Sequence, residues 1–380
     1  MTPLVSVCVP NLNMRPFLKE RFDTIFDQTF QDWELFVYDS FSDDGSWEFI
    51  QQLARHEPRM RIAQGPREGV YPAWNACLRE TTGEYVYIAT SDDTMAPDFL
   101  EKMTAALGRH RDCELAHCRL VIADERSADE QGMTWPEGTV FADGIPELLQ
   151  VPHIRRAPYD GLIQLSGRHA VLSITQLLIR RSIFERVGLF PDRWGSASDF
   201  NWEMKAGLVA NTVYVPDTWA TWRLHPNQAT VASRQISPDG YFRKVEDMIR
   251  DAVSECKAYL PPVVASGLDS HVDSTRELRA YYLALRKLRD HRVRRALYQF
   301  SRLLAGHTAI RREILGRVLR RPKWTEVSAT EIRRWLESLG LKPLAACDLP
   351  GLPSGSPRSV PPDMGTTATG EIAIDRNSSR

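Results

Sequence analysis

The sequence predicts an α/β fold: a mostly parallel, Rossmann-like sheet flanked by helices, followed by a helical C-terminal region. Three observations predict it. Short apolar, β-branched runs alternate with segments of helical period through residues 1–100. Polar and acidic side chains gather directly after those runs. Beyond about residue 235 the periodic segments all have helical spacing.

The elements follow in order. "VSVCV" (5–9) ends at Pro10 and reads as a buried strand. Leu18, Phe22, Ile25 and Phe26 then recur at helical spacing, with Pro16 acceptable in a first turn. "ELFVY" (34–38) is a second strand, stopped by "DSFSDDGS". Trp47, Ile50 and Leu53 mark the next helix, with Ser46 as its N-cap. "RIAQG" is a third strand, 72–80 a helix opened by Pro72, and "YVYIA" (85–89) a fourth strand. Pro97 opens another helix. From 112 to 170 the pattern breaks into loops, with a short strand and a helix suggested by "PEGTVFADGIPELL". "VLSITQLLI" (171–179) resumes as a buried strand. A helix at 182–187, a helix carrying Phe200, Met204 and Leu208, and the strand "TVYVP" (212–216) complete the α/β part. Three regions result: an α/β domain over 1–235, a helical accessory region over 236–342, and a disordered tail over 343–380 rich in Pro, Gly, Ser and Thr.

Composition narrows the class. Hydrophobic content of 43% and charged content of 26% are those of a soluble globular protein. A formal net charge of −1 gives no general pull toward a polyanion. Six scattered Cys without CxxC pairs read as reduced, buried thiols of a cytoplasmic protein. "MTPLVSVCVP" lacks a basic segment followed by a long apolar one, so no signal peptide is expected, and no run is apolar enough to span a bilayer.

In a parallel sheet, ligands bind beyond the carboxyl ends of the strands. Asn11 and Asn13 follow the first strand, Asp39, Asp43 and Asp44 the second, and Asp92 and Asp93 the fourth. Asp-Asp-Gly-Ser alone is a common turn sequence. Paired acids at the end of a core strand are less ordinary, and acids from three strand ends in one crevice call for a bound cation.

The ordered motifs resemble the family 2 glycosyltransferases, which have the GT-A fold, over about residues 4 to 232. The S-x-x-x-P-x-x-N opening is met by Ser6, Pro10 and Asn13, and the second-strand signature V-D-D-G-S-T-D-G-S by "YDSFSDDGS" with Asp39 leading. G-x-x-x-A-x-N falls on Gly69, Ala73 and Asn75, and D-x-D-D on "TSDD". The G-x-F…E-D element falls on "GLFPDRWGSASD", and the aromatic-R-x-H motif on Trp222, Arg223 and His225.

The resemblance implies a nucleotide-diphosphate donor, expected to be a UDP-sugar, and a Mg²⁺ or Mn²⁺ ion between diphosphate and carboxylates. Asp92 would be the leading metal ligand, with Asp93 and His225 beside it. Pro10, Asn11 and Asn13 would wall the nucleoside pocket, Asp39 would accept a bond from base or ribose, and Thr90, Ser91 and Arg223 would complete the donor site. Asp199 stands where the family keeps its general base, and a single inverting displacement is expected. Two plainer readings stay open: Asp199 as an N-cap, and His225 as a loop residue before Pro226. Two departures stand out, Thr90 at the first acid of D-x-D-D and Ser198 at the Glu before the base. Trp194, Trp202, Trp219 and Trp222 are candidates for stacking on sugar faces, or ordinary core.

Between Arg286 and Lys323 thirteen Lys or Arg face only Asp290 and Glu313, a net +11. Such a basic amphipathic stretch suits an anionic membrane surface, where a lipid-linked acceptor would be found, or a solvated helix packed on the domain. No nucleic-acid-binding fold is recognisable. The expected protein is a cytoplasmic glycosyltransferase, with peripheral contact at the inner membrane face through residues 286–323, acting on a saccharide, lipid-linked or protein acceptor in surface polysaccharide synthesis. The rivals are a non-catalytic carbohydrate-binding relative and a sugar nucleotidyltransferase. The second is disfavoured because "PNLNMRP" has no glycine.

Overall fold

The computed structural model describes residues 3–124, 133–134, 150–166, 169–225, 228, 238–270, 272–273 and 329–349. The segment 136–149, the basic segment 286–323 and the tail beyond 349 lie outside the described residues.

The first half alternates as the pattern requires. It runs β1 (Val5–Asn11), α1 (Arg15–Phe26), β2 (Trp33–Asp39), α2 (Ser46–Ala54), β3 (Met60–Gln64), α3 (Val70–Glu80), β4 (Tyr85–Ile88) and α4 (Phe99–Arg109). Strands β3, β2, β1 and β4 lie side by side and parallel, so the ends of β1, β2 and β4 open on one edge. They read as continuous apolar runs because both faces are covered: Val5, Val7, Cys8 and Val9 are all buried.

The second half is mixed. It comprises β5 (Leu115–Asp124), β6 (Met133–Thr134), β7 (His153–Arg155), α5 (Tyr159–Leu165), β8 (Leu177–Arg180), α6 (Ile183–Val187), α7 (Ser198–Val209), β9 (Thr212–Leu224) and β10 (Leu344–Ala346). The sheet order is β10-β7-β9-β5-β8-β4-β1-β2-β3, with β6 on β5. β8 runs antiparallel between β4 and β5, whereas β5 and β9 are parallel. The parallel character therefore belongs mainly to the N-terminal half.

Several elements depart from expectation. The stretch expected as loops after 112 holds β5. The strand expected over 171–179 begins only at Leu177, because Ser173–Gln176 closes into a capped 3-10 turn. β9 continues past Pro216 through a register shift opposite Cys118 and Arg119, where a missing N–H is tolerated. Ser46 is the first helical residue of α2, and Gly45, with φ at 86°, is its N-cap. Leu344–Ala346, placed by the sequence in the disordered tail, pair with β7 as an edge strand.

Beyond the α/β elements, the helix Pro238–Cys256 lays Val245, Met248, Ile249, Ala252 and Cys256 at i, i+3, i+4 spacing into the cluster that holds α3, α5 and α7. The helix Ala329–Ser338 adds Ala329, Ile332 and Leu336 to that cluster. The expected boundary near 235 is thus no break in packing. Cys8, Cys77, Cys113, Cys118 and Cys256 are buried free thiols, and Cys347 is a half-buried one. Among the described residues no helix is long and apolar enough to cross a membrane.

Candidate active site

A cavity of about 420 Å³ opens at the carboxyl ends of β1 and β4, within the range of small-molecule pockets. Pro10, Asn11, Thr90, Ser91, Asp92 and Asp93 line it from the ends of β1 and β4, Tyr71 and Trp74 from α3, Asp199 from α7 and Trp222 from β9.

The turn after β4 sets the polar wall. Ser91 Oγ donates to the Pro10 carbonyl at 2.6 Å, tying the ends of β4 and β1 together. Thr90 Oγ1 donates to Asp93 Oδ2 at 2.5 Å, and the Arg223 backbone N–H donates to Asp93 Oδ1 at 2.6 Å. Asp93, expected as a second metal ligand, therefore faces inward, buried, with both oxygens engaged. Burial first, and the neighbouring Asp92 carboxylate second, push its pKa above the usual carboxylate range. Thr90, where the family pattern has an acid, serves as the donor that closes this turn.

Asp92 has a different partner. Its Oδ2 lies 3.0 Å from His225 Nε2, and Arg223 Nε donates to its backbone carbonyl at 2.8 Å. Arg223 Nη2 pairs with Glu20 at 2.7 Å, so this arginine braces the turn from behind. His225 packs its ring against Phe17, 4.7 Å between centroids, and its backbone N–H donates to Gln228 at 2.8 Å. It is a buried partner of Asp92, which removes the plain reading of His225 as a surface loop residue. Asp92 and His225 form a pair, and among the described residues no cluster of three metal-competent side chains occurs.

Asp39 is fully buried and does not line the cavity. Its Oδ1 accepts from Asn11 Nδ2 at 2.7 Å and Ser42 Oγ at 2.6 Å; its Oδ2 accepts from the Ser42 N–H and from Gln64 Nε2, both at 3.0 Å. With four donors satisfied it ties the β1 and β2 loops to β3, and a contact to base or ribose would require one donor to leave. Asn13, at φ 56°, is exposed and exchanges two hydrogen bonds with Asp43. It secures the loop and is not among the lining residues. Sequence reasoning missed Arg67, which lines the cavity and donates from Nη2 to the Phe41 carbonyl at 2.5 Å and to Asp43 at 2.9 Å.

In the same cavity lining, α7 carries Asp199 as its second residue rather than at the N-cap, which is Ala197. Its Oδ1 accepts from the Tyr71 hydroxyl at 3.0 Å and from the Phe200 N–H at 2.8 Å. Burial raises the Asp199 pKa, and these two donors pull it partly back. Tyr71 and Trp74 come from α3, packed edge-on with centroids 5.0 Å apart. Sequence reasoning missed both as site residues; the only signal was their position in the G-x-x-x-A-x-N segment. Of the four tryptophans read as sugar-stacking candidates or ordinary core, Trp222 lines the cavity. Trp202 is fully buried and donates to the Gly188 carbonyl, and Trp194 and Trp219 pack on the two core clusters.

Parallel strand ends and a cavity lined by Asp92, Asp93 and Asp199 are features of a ligand-binding α/β protein. The profile described as Glycosyl transferase family 2 matches residues 6–188, just under half of the chain, and that segment is a family 2 glycosyltransferase domain. It is similar to the uncharacterized glycosyltransferase EpsJ of Bacillus subtilis, 24% identical over 251 residues, 64% of this chain and 68% of EpsJ. It is also similar to TuaG of Bacillus subtilis, a glycosyltransferase named for teichuronic acid biosynthesis, 33% identical over 145 residues. That match covers 38% of this chain and 57% of TuaG, so the chain spans just over half of that relative. The fold is shared with PcManGT, a mannosyltransferase from Pyrobaculum calidifontis solved with GDP-Man and Mn²⁺. The TM-score is 0.51 at 19% identity, covering 90% of this chain and 85% of that one. The GT-A architecture expected from the motifs is thus the one observed.

Proposed function

We propose that this chain is an inverting, metal-dependent glycosyltransferase that moves a sugar from a nucleotide-diphosphate donor, a UDP-sugar, to a hydroxyl of a saccharide, lipid-linked or protein acceptor in polysaccharide synthesis. The observation that carries the reading is the presence of Asp92 and Asp199, 107 residues apart in sequence, in the lining of one cavity. Names among the relatives support the class: TuaG is named for teichuronic acid biosynthesis, and PcManGT holds a nucleotide sugar with Mn²⁺.

The donor set fits a divalent ion. Asp92 and His225 offer one carboxylate oxygen and one imidazole nitrogen, leaving most positions for diphosphate oxygens and water, as Mg²⁺ and Mn²⁺ sites at phosphates require. When bound, the ion offsets the negative charge that grows on the leaving diphosphate. Ligation would use the Nε2 lone pair of His225, the ring nitrogen that faces Asp92.

The chain's own residues do the rest. Pro10 and Asn11 bound the nucleoside side, and Trp74 and Trp222 give the sugar apolar faces. Asp199 takes the proton of the acceptor hydroxyl as its oxygen attacks the anomeric carbon, while the bond to the diphosphate breaks on the opposite face. One displacement inverts the anomeric centre and releases the nucleoside diphosphate. Tyr71 fixes the direction of the Asp199 carboxylate throughout.

Calorimetric titration of UDP and GDP, with Mn²⁺ and with chelator, tests this on the wild type and Asp92→Ala. Metal-dependent UDP binding that Asp92→Ala abolishes is expected. A preference for GDP would keep the mechanism and change the donor. A folded protein that binds neither would replace this reading with the non-catalytic one.

A further inference from the structure

Helix α1 buries a stripe made of Leu18, Arg21, Phe22 and Ile25, spaced i, i+3, i+4 and i+7. An arginine therefore occupies a core position, and its side chain is 0% exposed. Its Nη1 donates to the backbone carbonyl of Asp93 at 3.3 Å, while Nε and Nη2 have no hydrogen-bond partner. The guanidinium lies 5.3 Å from the ring centroid of Tyr87, whose buried hydroxyl also lies outside hydrogen-bond geometry. A fully desolvated cation with one long hydrogen bond is costly unless a negative charge is close. The acid on hand is Asp93, whose backbone carbonyl it holds and whose carboxyl group feels its charge, with the Asp92 carboxylate next to it.

We propose that Arg21 is the positioning residue of the metal-binding turn: its buried charge balances the paired carboxylates and holds the turn in the form that presents Asp92 to a divalent cation. The same turn is also held from β9, where Arg223 Nε donates to the Asp92 carbonyl and the Arg223 backbone N–H donates to the Asp93 carboxylate. This assignment rests on the metal-site reading given above.

The purified full chain tests it by titration of Mn²⁺ in the presence of UDP, read by the loss of the free-Mn²⁺ paramagnetic resonance signal, with thermal unfolding alongside. Arg21→Met keeps the volume and removes the charge; Arg21→Lys keeps the charge. The expected result is a folded Arg21→Met protein whose Mn²⁺ affinity falls at least about tenfold, with Arg21→Lys recovering most of it. A merely structural role predicts the reverse: lower melting temperature, with unchanged Mn²⁺ affinity in the folded protein. If Arg21→Met does not fold, the double variant Arg21→Met/Asp93→Asn decides. Restored folding supports charge balance, and continued failure overturns it in favour of packing. Wild type that takes up no Mn²⁺ with UDP would sink the function reading itself. Wild-type uptake matched by Arg21→Met would sink only the role of Arg21.

Discussion

In the proposed mechanism the proton of the acceptor passes to Asp199, which Tyr71 holds. A base must be ionised to act, so the rate should fall as pH drops through the Asp199 pKa, which burial holds above the ordinary carboxylate value of about 4. The Tyr71 hydroxyl donates to the charged form and therefore lowers that pKa. Tyr71→Phe removes the donor, and the acid limb of the kcat profile should move to higher pH. Asp199→Asn should lower kcat by about 10² to 10⁴ while metal-dependent nucleotide binding persists. Steady-state kinetics across pH, with calorimetry for the nucleotide, check both. An acid limb unmoved by Tyr71→Phe would show that another group sets it. Glu203, one turn along α7, stays out of this role: it is buried, its pKa is raised by burial and then by Asp199, and Gln164 donates to its Oε2 at 2.9 Å.

At the scale of elements, α7 reaches the cavity because it lies almost in contact with α5. A Cβ on Gly161 would meet the Leu208 nitrogen at 2.4 Å, and one on Gly207 would meet the Gly161 nitrogen at 2.6 Å. Gly207→Ala should therefore cost about 1–3 kcal/mol or more in urea unfolding, since neither backbone can yield freely. Gly108→Ala in α4, where nothing lies within 4 Å, should instead stabilise by up to about 1 kcal/mol. The opposite signs separate close packing from helix propensity. Similar physics decided which elements the sequence displayed. β1, β2 and β4 are buried on both faces and read as apolar runs. β5 was hidden because His117 and Arg119 interrupt its pattern. His117 is a buried core residue that Arg155 and Gln176 meet at 2.9 and 3.0 Å. α5 was hidden by Gly161, a poor helix former that close approach demands. The site divides in the same way. Asp92, Asn11 and Asp199 stand at strand ends or a helix start, where position predicts function. Tyr71, Trp74 and Arg21 lie on helix faces, and the partner of Tyr71 is 128 residues away.

For the whole molecule, the sheet is completed by residues from near the end of the described chain. β10 pairs with β7, which pairs with β9, the strand that leads into Trp222, Arg223 and His225. The return is anchored at more than one point. The Tyr159 hydroxyl donates to the Ala329 carbonyl at 3.1 Å, the Arg156 N–H donates to the Pro343 carbonyl at 2.8 Å, and Leu349 is buried in the cluster under β1 and β9. The polar core beside it is self-contained: Arg155 gives Nε to both oxygens of Asp160 at 2.7 and 3.0 Å, so the edge strand covers an ion pair already neutralised. Two shortened chains isolate what the return contributes. One ends at Leu349, the other at Pro343, and both lack everything after 349. Burial of Leu349 and the β10 ladder are worth about 2 kcal/mol together, and a difference of that size shifts the melting midpoint by several degrees in a domain of this size. The shorter chain should melt below the longer by that amount, and calorimetry reads the gap directly. Equal midpoints would mean that β10 only borders the sheet, and that β7 holds the β9 side of the cavity without it.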